Sequence, residues 1–164
     1  MKIAVFGAAG FIGASFVEHL LAKGVYDVRL YIHTSGGAWR LSRYGLDLRS
    51  VNITDREQVR DAIEGCTHVV NATWGSRDVM LRGLDNLLET SLASGVKRYV
   101  HISSVSVYGD REPGVTLRED AAPTKELTDY GQMKLEQDRR VDTVCRKGLP
   151  CVILAPPKRM KAIL

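Results

Sequence analysis

The chain has 164 residues, 45% of them hydrophobic and 26% charged, with a net charge of +4 and a pI near 9.0. That is enough for one domain with a real core, and its Lys and Arg are dispersed, so the sequence gives no call for nucleic acid as a partner. No apolar run approaches the roughly 20 residues that span a bilayer, so no membrane is expected either.

In chain order, short apolar runs alternate with helix-period segments. KIAVFG (2–7) reads as a buried strand and FIGASFVEHLLAKG (11–24) as a helix, with Phe16, Val17, Leu20 and Leu21 on one face and Gly24 as its stop. DVRLYIH (27–33) is a second strand and LDLRSVNI (46–53) holds a third. Thr54 is the expected N-cap of DREQVRDAIEG (55–65), whose first turn is acidic. THVVNAT (67–73) is a fourth strand, VMLRGLDNLLETSLASG (79–95) a long helix and KRYVHISS (97–104) a fifth strand. TDYGQMKLEQDRRVDTVCRKG (128–148) is the last helix and PCVILAP (150–156) the sixth strand. The polar segment 109–127, with Pro113 and Pro123, is a long loop of the kind that carries function or motion.

Repeated strand–helix alternation requires parallel strands joined by helical crossovers, and Val- and Ile-rich strands suit a sheet buried on both faces. The expectation is an α/β, doubly wound Rossmann-type parallel sheet with helices on both faces and strand order 3-2-1-4-5-6. One domain covers 1–156, followed by a basic tail, 157–164. Cys66, Cys145 and Cys151 form no CxxC pair. They read as reduced core thiols of a cytoplasmic protein, and no metal-ligating pattern is present.

Gly7, Gly10 and Gly13 lie between the first strand and the first helix, as GAAGFIG. Absent side chains let a backbone turn tightly and approach a pyrophosphate, and a helix N-terminus then offers free N–H groups and a positive dipole end. Glycines are common in turns, but this triplet sits between strand and helix, as dinucleotide binding requires. Phe11 and Ile12 complete that loop. An acid that would grip ribose hydroxyls is missing from Tyr31-Ile32-His33-Thr34, while Arg40 and Arg43 follow. That points to NADP over NAD, unless both arginines only solvate a loop. Asn52 and Ile53, after the third strand, could hold an adenine, and Asn71, Ala72 and Thr73 close the fourth strand beside the same crevice.

Tyr130 and Lys134 stand four residues apart and so share a helix face. GAAGFIG (7–13), EGCTHVVNAT (64–73), NLLETSLASGVKRYVHISSVSVYG (86–109) and Y-x-x-x-K (130–134) follow one another in an order and spacing that resemble the extended short-chain dehydrogenase/reductase family. Its members include nucleotide-sugar epimerases and dehydratases, and the resemblance covers about 1–156.

The resemblance implies a catalytic Ser104, four residues before Tyr108 of VYG, with Tyr130 as general acid/base and Lys134 as its partner. A tyrosine serves as a base near neutral pH only when a neighbouring cation favours its phenolate. In the family the lysine also holds the nicotinamide ribose, the serine hydrogen-bonds the reacting oxygen, and the cofactor takes or gives the hydride. Implied too are a small-molecule substrate such as a nucleotide sugar and a homodimer formed through crossover helices. An NAD(P)-dependent oxidoreductase, epimerase or dehydratase is the leading reading; a non-catalytic dinucleotide-binding module or redox sensor is the alternative.

Two departures from the family are visible. Where many members carry Asn, three residues before Gly83, this chain has Met80, and Asn71 could supply the missing polar contact. After the sixth strand Ala155 replaces a common Arg, and the basic KRMK run leads to the end at Leu164. The expectation is a shortened or truncated member whose cofactor half is present and whose substrate domain is largely absent.

Overall fold

The structure, a computed structural model, describes residues 1–25, 27–33, 35–110, 114–124 and 126–157, with the side chains of 35 and 36 left out. The basic run 158–161, and with it all but the first residue of the expected tail, lies outside the described residues.

Six parallel strands form one sheet: β1 (Ile3–Phe6), β2 (Val28–Ile32), β3 (Leu48–Ser50), β4 (His68–Asn71), β5 (Arg98–Ile102) and β6 (Cys151–Leu154). Their order is β3-β2-β1-β4-β5-β6, the expected one, with the reversal of direction falling beside β1. Helices α1 (Phe11–Ala22), α2 (Arg56–Ile63), α3 (Leu84–Ala93) and α4 (Asp129–Arg146) supply the crossovers. None of the described helices is long and apolar enough to cross a membrane.

Two cores follow from the alternation of side chains along the strands. On one face Phe6, Tyr31, Val69 and Tyr99 pack under α2, α3 and α4, through Ile63, Leu87 and Val141. Phe6 and Tyr31 stack with centroids 4.9 Å apart, a contact worth about 0.5–1.5 kcal/mol beyond the area it buries. On the other face Val5, Leu30 and Val70 pack under α1 through Ala14 and Val17. Phe16, Leu20 and Leu21 of the predicted apolar face lie at the margin of this second core.

Two local features differ from expectation, and a third lies in a segment to which no element was assigned. Residue 54 does not cap α2: the carboxylate of Asp55 accepts from the N–H groups of Glu57 (3.0 Å) and Gln58 (3.3 Å), which holds its pKa low. Thr54 instead donates its hydroxyl to Asn52 Oδ1 (2.8 Å). The predicted long helix 79–95 opens as a π-helical turn, Val79–Gly83, before continuing as α3. Widening a helix by one residue frees carbonyls, and the side-chain amide of Gln137 on α4 donates to the backbone carbonyl of Met80. That contact is to the backbone of Met80, while Asn71, the expected substitute, is engaged with Thr73 and approaches His101. Finally, the segment carrying Arg40 and Arg43 is an extended 3₁₀ stretch, Ser35–Tyr44.

Candidate functional site

The order in which strands are added to the sheet reverses between β1 and β4, and at their carboxyl ends the glycine loop sits. Gly7 has φ +78°, and a Cβ on it would lie 2.4 Å from the Ala72 carbonyl oxygen. A Cβ on Gly13 would lie 2.2 Å from the Gly7 carbonyl oxygen. These contacts require glycine, since no side chain fits, and they bring strand end, loop and helix together. No side chain caps the start of α1 at Gly10, which leaves the amide end of a 12-residue helix turned toward the loop.

A cleft of about 540 Å³ opens over this loop. Gly7, Gly10, His33, Asn52, Ile53, Ala72 and Thr73 all line it. Among residues the sequence reading did not select, Gly37 lines it as well, and the lack of a Cβ lets its backbone run against the Ala9 carbonyl. Size, the glycine cradle and an open helix start fit a dinucleotide.

The two arginines part company. Arg40 Nη1 lies 3.5 Å from the Ala9 carbonyl oxygen, on the glycine loop itself, with its guanidinium over the Trp39 ring. Arg43 is drawn to α1, where it pairs with Glu18 (2.8 Å) and stacks on Tyr44.

A second cleft of about 400 Å³ adjoins the first. Ala72, Thr73 and Trp74 line both, and Trp74 is 74% exposed between them. Ser104, Tyr130 and Lys134 line the second cleft, with Ile12 on its other wall. Phe11 and Asn71 line neither: Phe11 is exposed at the start of α1, and Asn71 is buried under the floor. A more voluminous hollow, about 820 Å³, lies between α4, the end of β6 and residues 117–123, but of the expected catalytic and cofactor-binding residues only Ile12 lines it.

Local folding explains how the trio meets. Ser104 ends β5's run and caps a 3₁₀ turn, Val105–Tyr108, with its Oγ accepting from Ser106 N–H (3.2 Å). Thr128 caps α4 by accepting from Gly131 N–H (3.1 Å), which places Tyr130 in the first turn. Gly131 lets that turn rest on the 3₁₀ segment, because a Cβ there would be 2.6 Å from the Ser106 carbonyl oxygen. Tyr130 is 37% exposed, whereas Lys134, one turn on, is 3% exposed and donates to the Ile102 carbonyl oxygen (2.9 Å). Burial depresses the Lys134 pKa to about 8, an effect opposed by the charge of Asp138.

Beneath the trio lies a polar cluster absent from the sequence reading. Ser103 Oγ donates to Asp138 Oδ2 (2.6 Å), and His101 Nε2 stands 3.7 Å from Asp138 Oδ1. Burial pushes the His101 ring down to about 3 and the Asp138 carboxyl up to about 6. The signal available in the sequence was the i, i+4 ladder Tyr130, Lys134, Asp138 on one helix.

The sequence profile of the NAD-dependent epimerase/dehydratase family matches residues 3–159. The chain belongs to that family. The Methylococcus capsulatus protein called sterol demethylase protein B is 29% identical over 95% of this chain and 51% of its own. The Thermus thermophilus UDP-glucose 4-epimerase, solved with NAD, superposes with a TM-score of 0.81 at 28% identity, over 94% of this chain and 54% of the epimerase. The Streptomyces venezuelae dTDP-glucose 4,6-dehydratase DesIV, solved with NAD, gives 0.82 at 27%, over 93% and 54%. This epimerase/dehydratase-family chain thus spans about half the length of these relatives.

Proposed function

We propose that this family member is an NAD(P)-dependent epimerase, dehydratase or reductase half. The first cleft seats the dinucleotide and the second takes the reacting carbon of a small-molecule substrate. The observation that carries this reading is the contact between the two clefts: Ser104, Tyr130 and Lys134 line a hollow that shares the Ala72–Trp74 wall with the glycine-loop cleft.

The loop Gly7–Gly13 and the open start of α1 would hold the diphosphate, Asn52 and Ile53 the adenine, and Lys134 the nicotinamide ribose. Bound there, the nicotinamide supplies hydride chemistry at carbon. Tyr130, partly exposed at the rim, moves a proton to or from the substrate hydroxyl or carbonyl oxygen. Ser104 Oγ, held by the 3₁₀ turn, hydrogen-bonds the same oxygen. Lys134 adds a positive charge in a site where burial strengthens it. The named epimerase and dehydratase relatives support a nucleotide sugar as substrate. Arg40 beside the loop supports NADP, with Arg43 in a lesser part. Pairing of two copies through α3 and α4, and a cytoplasmic setting, belong to the same reading.

The test is turnover of a panel of sugar nucleotides and carbonyl compounds with NAD(H) and NADP(H), for the wild type and Tyr130→Phe. Turnover that falls at least about a hundredfold in Tyr130→Phe, with dinucleotide affinity kept, is the expected result. Binding without any Tyr130-dependent turnover would leave a non-catalytic dinucleotide-binding module.

A further inference from the structure

Two side chains one turn apart on α4 grip consecutive residues at the end of β5. Lys134 donates to the Ile102 carbonyl oxygen (2.9 Å), and Asp138 accepts from the Ser103 hydroxyl (2.6 Å). The next residue is Ser104. Register between α4 and β5 is therefore fixed where the three candidate catalytic residues converge.

The second carboxylate oxygen of Asp138 faces a further set of polar side chains. Asn71 Oδ1 accepts from both the N–H (3.1 Å) and the hydroxyl (2.7 Å) of Thr73, so its amide nitrogen is the group that approaches His101 Nδ1 at 3.5 Å. Nδ1 then accepts, which puts the proton of the neutral ring on Nε2. Nε2 stands 3.7 Å from Asp138 Oδ1, outside hydrogen-bond reach. Neither His101 Nε2 nor Asp138 Oδ1 has a hydrogen-bond partner among the described residues. The donors thus run one way from Thr73, in the wall shared by both clefts, through Asn71 to His101, and Asp138 separately accepts from the Ser103 hydroxyl.

We propose that Asp138 is a positioning residue: it ties α4 to the end of β5 through Ser103 and supplies the negative charge that holds the Lys134 ammonium in place beside Tyr130 and Ser104. It lines neither of the two clefts and acts through Lys134, so its catalytic meaning rests on the function proposed above. Burying a carboxylate is costly, and burial alone would favour its neutral form. The groups around it are Lys134 and Asp142 on α4, His101 and Ser103 at β5, and Tyr108 on the 3₁₀ turn. Of these only Lys134 carries a positive charge at neutral pH, since His101 is neutral. A partly buried acid one turn from a buried lysine gives it support that an amide cannot.

The experiment is a ¹³C NMR titration of the Lys134 side chain, assigned with Lys134→Arg, in the wild type, Asp138→Asn and Asp142→Asn, all without dinucleotide. Asparagine keeps the shape and can still accept from Ser103, so a purely structural role would leave the titration in place. The expected result is a Lys134 midpoint about one pH unit lower in Asp138→Asn, with Asp142→Asn moving it less than half as far. An unmoved midpoint in folded Asp138→Asn overturns the proposal. Should that variant not fold, Ser103→Ala reads the same clamp from the strand side. Loss of the hydroxyl should raise the Asp138 carboxyl midpoint above the wild-type value, and no change overturns it. Because no cofactor enters the titration, absence of dinucleotide binding would count against the proposed function alone.

Discussion

Arg40 and Arg43 stand one turn apart in sequence, and the fold gives them different neighbours. Arg43 is already paired with Glu18 and laid on Tyr44, while Arg40 leans over the glycine loop at Ala9. A charge-assisted contact to a 2′-phosphate is worth about 1.5–3 kcal/mol, so Arg40→Ala should weaken NADPH binding about tenfold or more and NADH binding little. Arg43→Ala should change both by less than about threefold, since it must first give up its own partner. Fluorescence titration of the two variants with both nucleotides checks this, and equal losses of NADPH and NADH affinity in Arg40→Ala would remove the case for NADP. At this scale Ser104, Tyr130 and Lys134 were legible because each belongs to a motif read along one stretch of chain. Asp138, His101 and Ser103 were not, because their meaning comes from contacts across some 30 residues that the fold alone creates. Asn71 shows the same limit: its place at the strand end was legible, but not that its side chain turns inward to Thr73 and His101.

Helices and strands were read from period and composition, and their order along the chain matches the structure. Their ends were less legible. Thr54 and Asp55 are both good caps in principle, and only the backbone at Asp55, which aims its carboxylate at Glu57 and Gln58, decides between them. The π turn at Val79–Gly83 has no sequence signal of its own, because Gln137 on a distant helix supports it. The first turn of α4 yields a prediction at this scale. In an ordinary helix Gly→Ala stabilises by about 0.5–1 kcal/mol. At Gly131 the added Cβ would meet the Ser106 carbonyl oxygen at 2.6 Å, a backbone atom that cannot swing aside. Overpacking should dominate, so Gly131→Ala is expected to lose about 1–3 kcal/mol in chemical denaturation and to move Tyr130 off the rim. A variant more stable than the wild type would show that α4 does not rest on the 3₁₀ turn as described.

Across the whole molecule the topology follows from few rules: parallel strands need crossovers, crossovers are right-handed, and the reversal of direction beside β1 leaves a crevice at the strand ends. Strand order was therefore legible from alternation together with the family resemblance. Which residues border the crevice was legible only in part: His33, Asn52, Ile53, Ala72 and Thr73 line it, while Gly37 and Trp74 entered from segments without a motif. All of the proposed chemistry depends on that crevice receiving a dinucleotide. Titration calorimetry of the purified chain with NAD and NADP, beside Gly13→Val shown to be folded by circular dichroism, is the most direct measurement. A side chain at Gly13 would collide with the Gly7 carbonyl at the floor of the loop. Saturable binding of at least one nucleotide by the wild type, weakened about a hundredfold or more in Gly13→Val, a loss of about 2.7 kcal/mol, is the expected result. A folded wild-type chain that binds neither nucleotide, or a Gly13→Val that binds as tightly as the wild type, would contradict it.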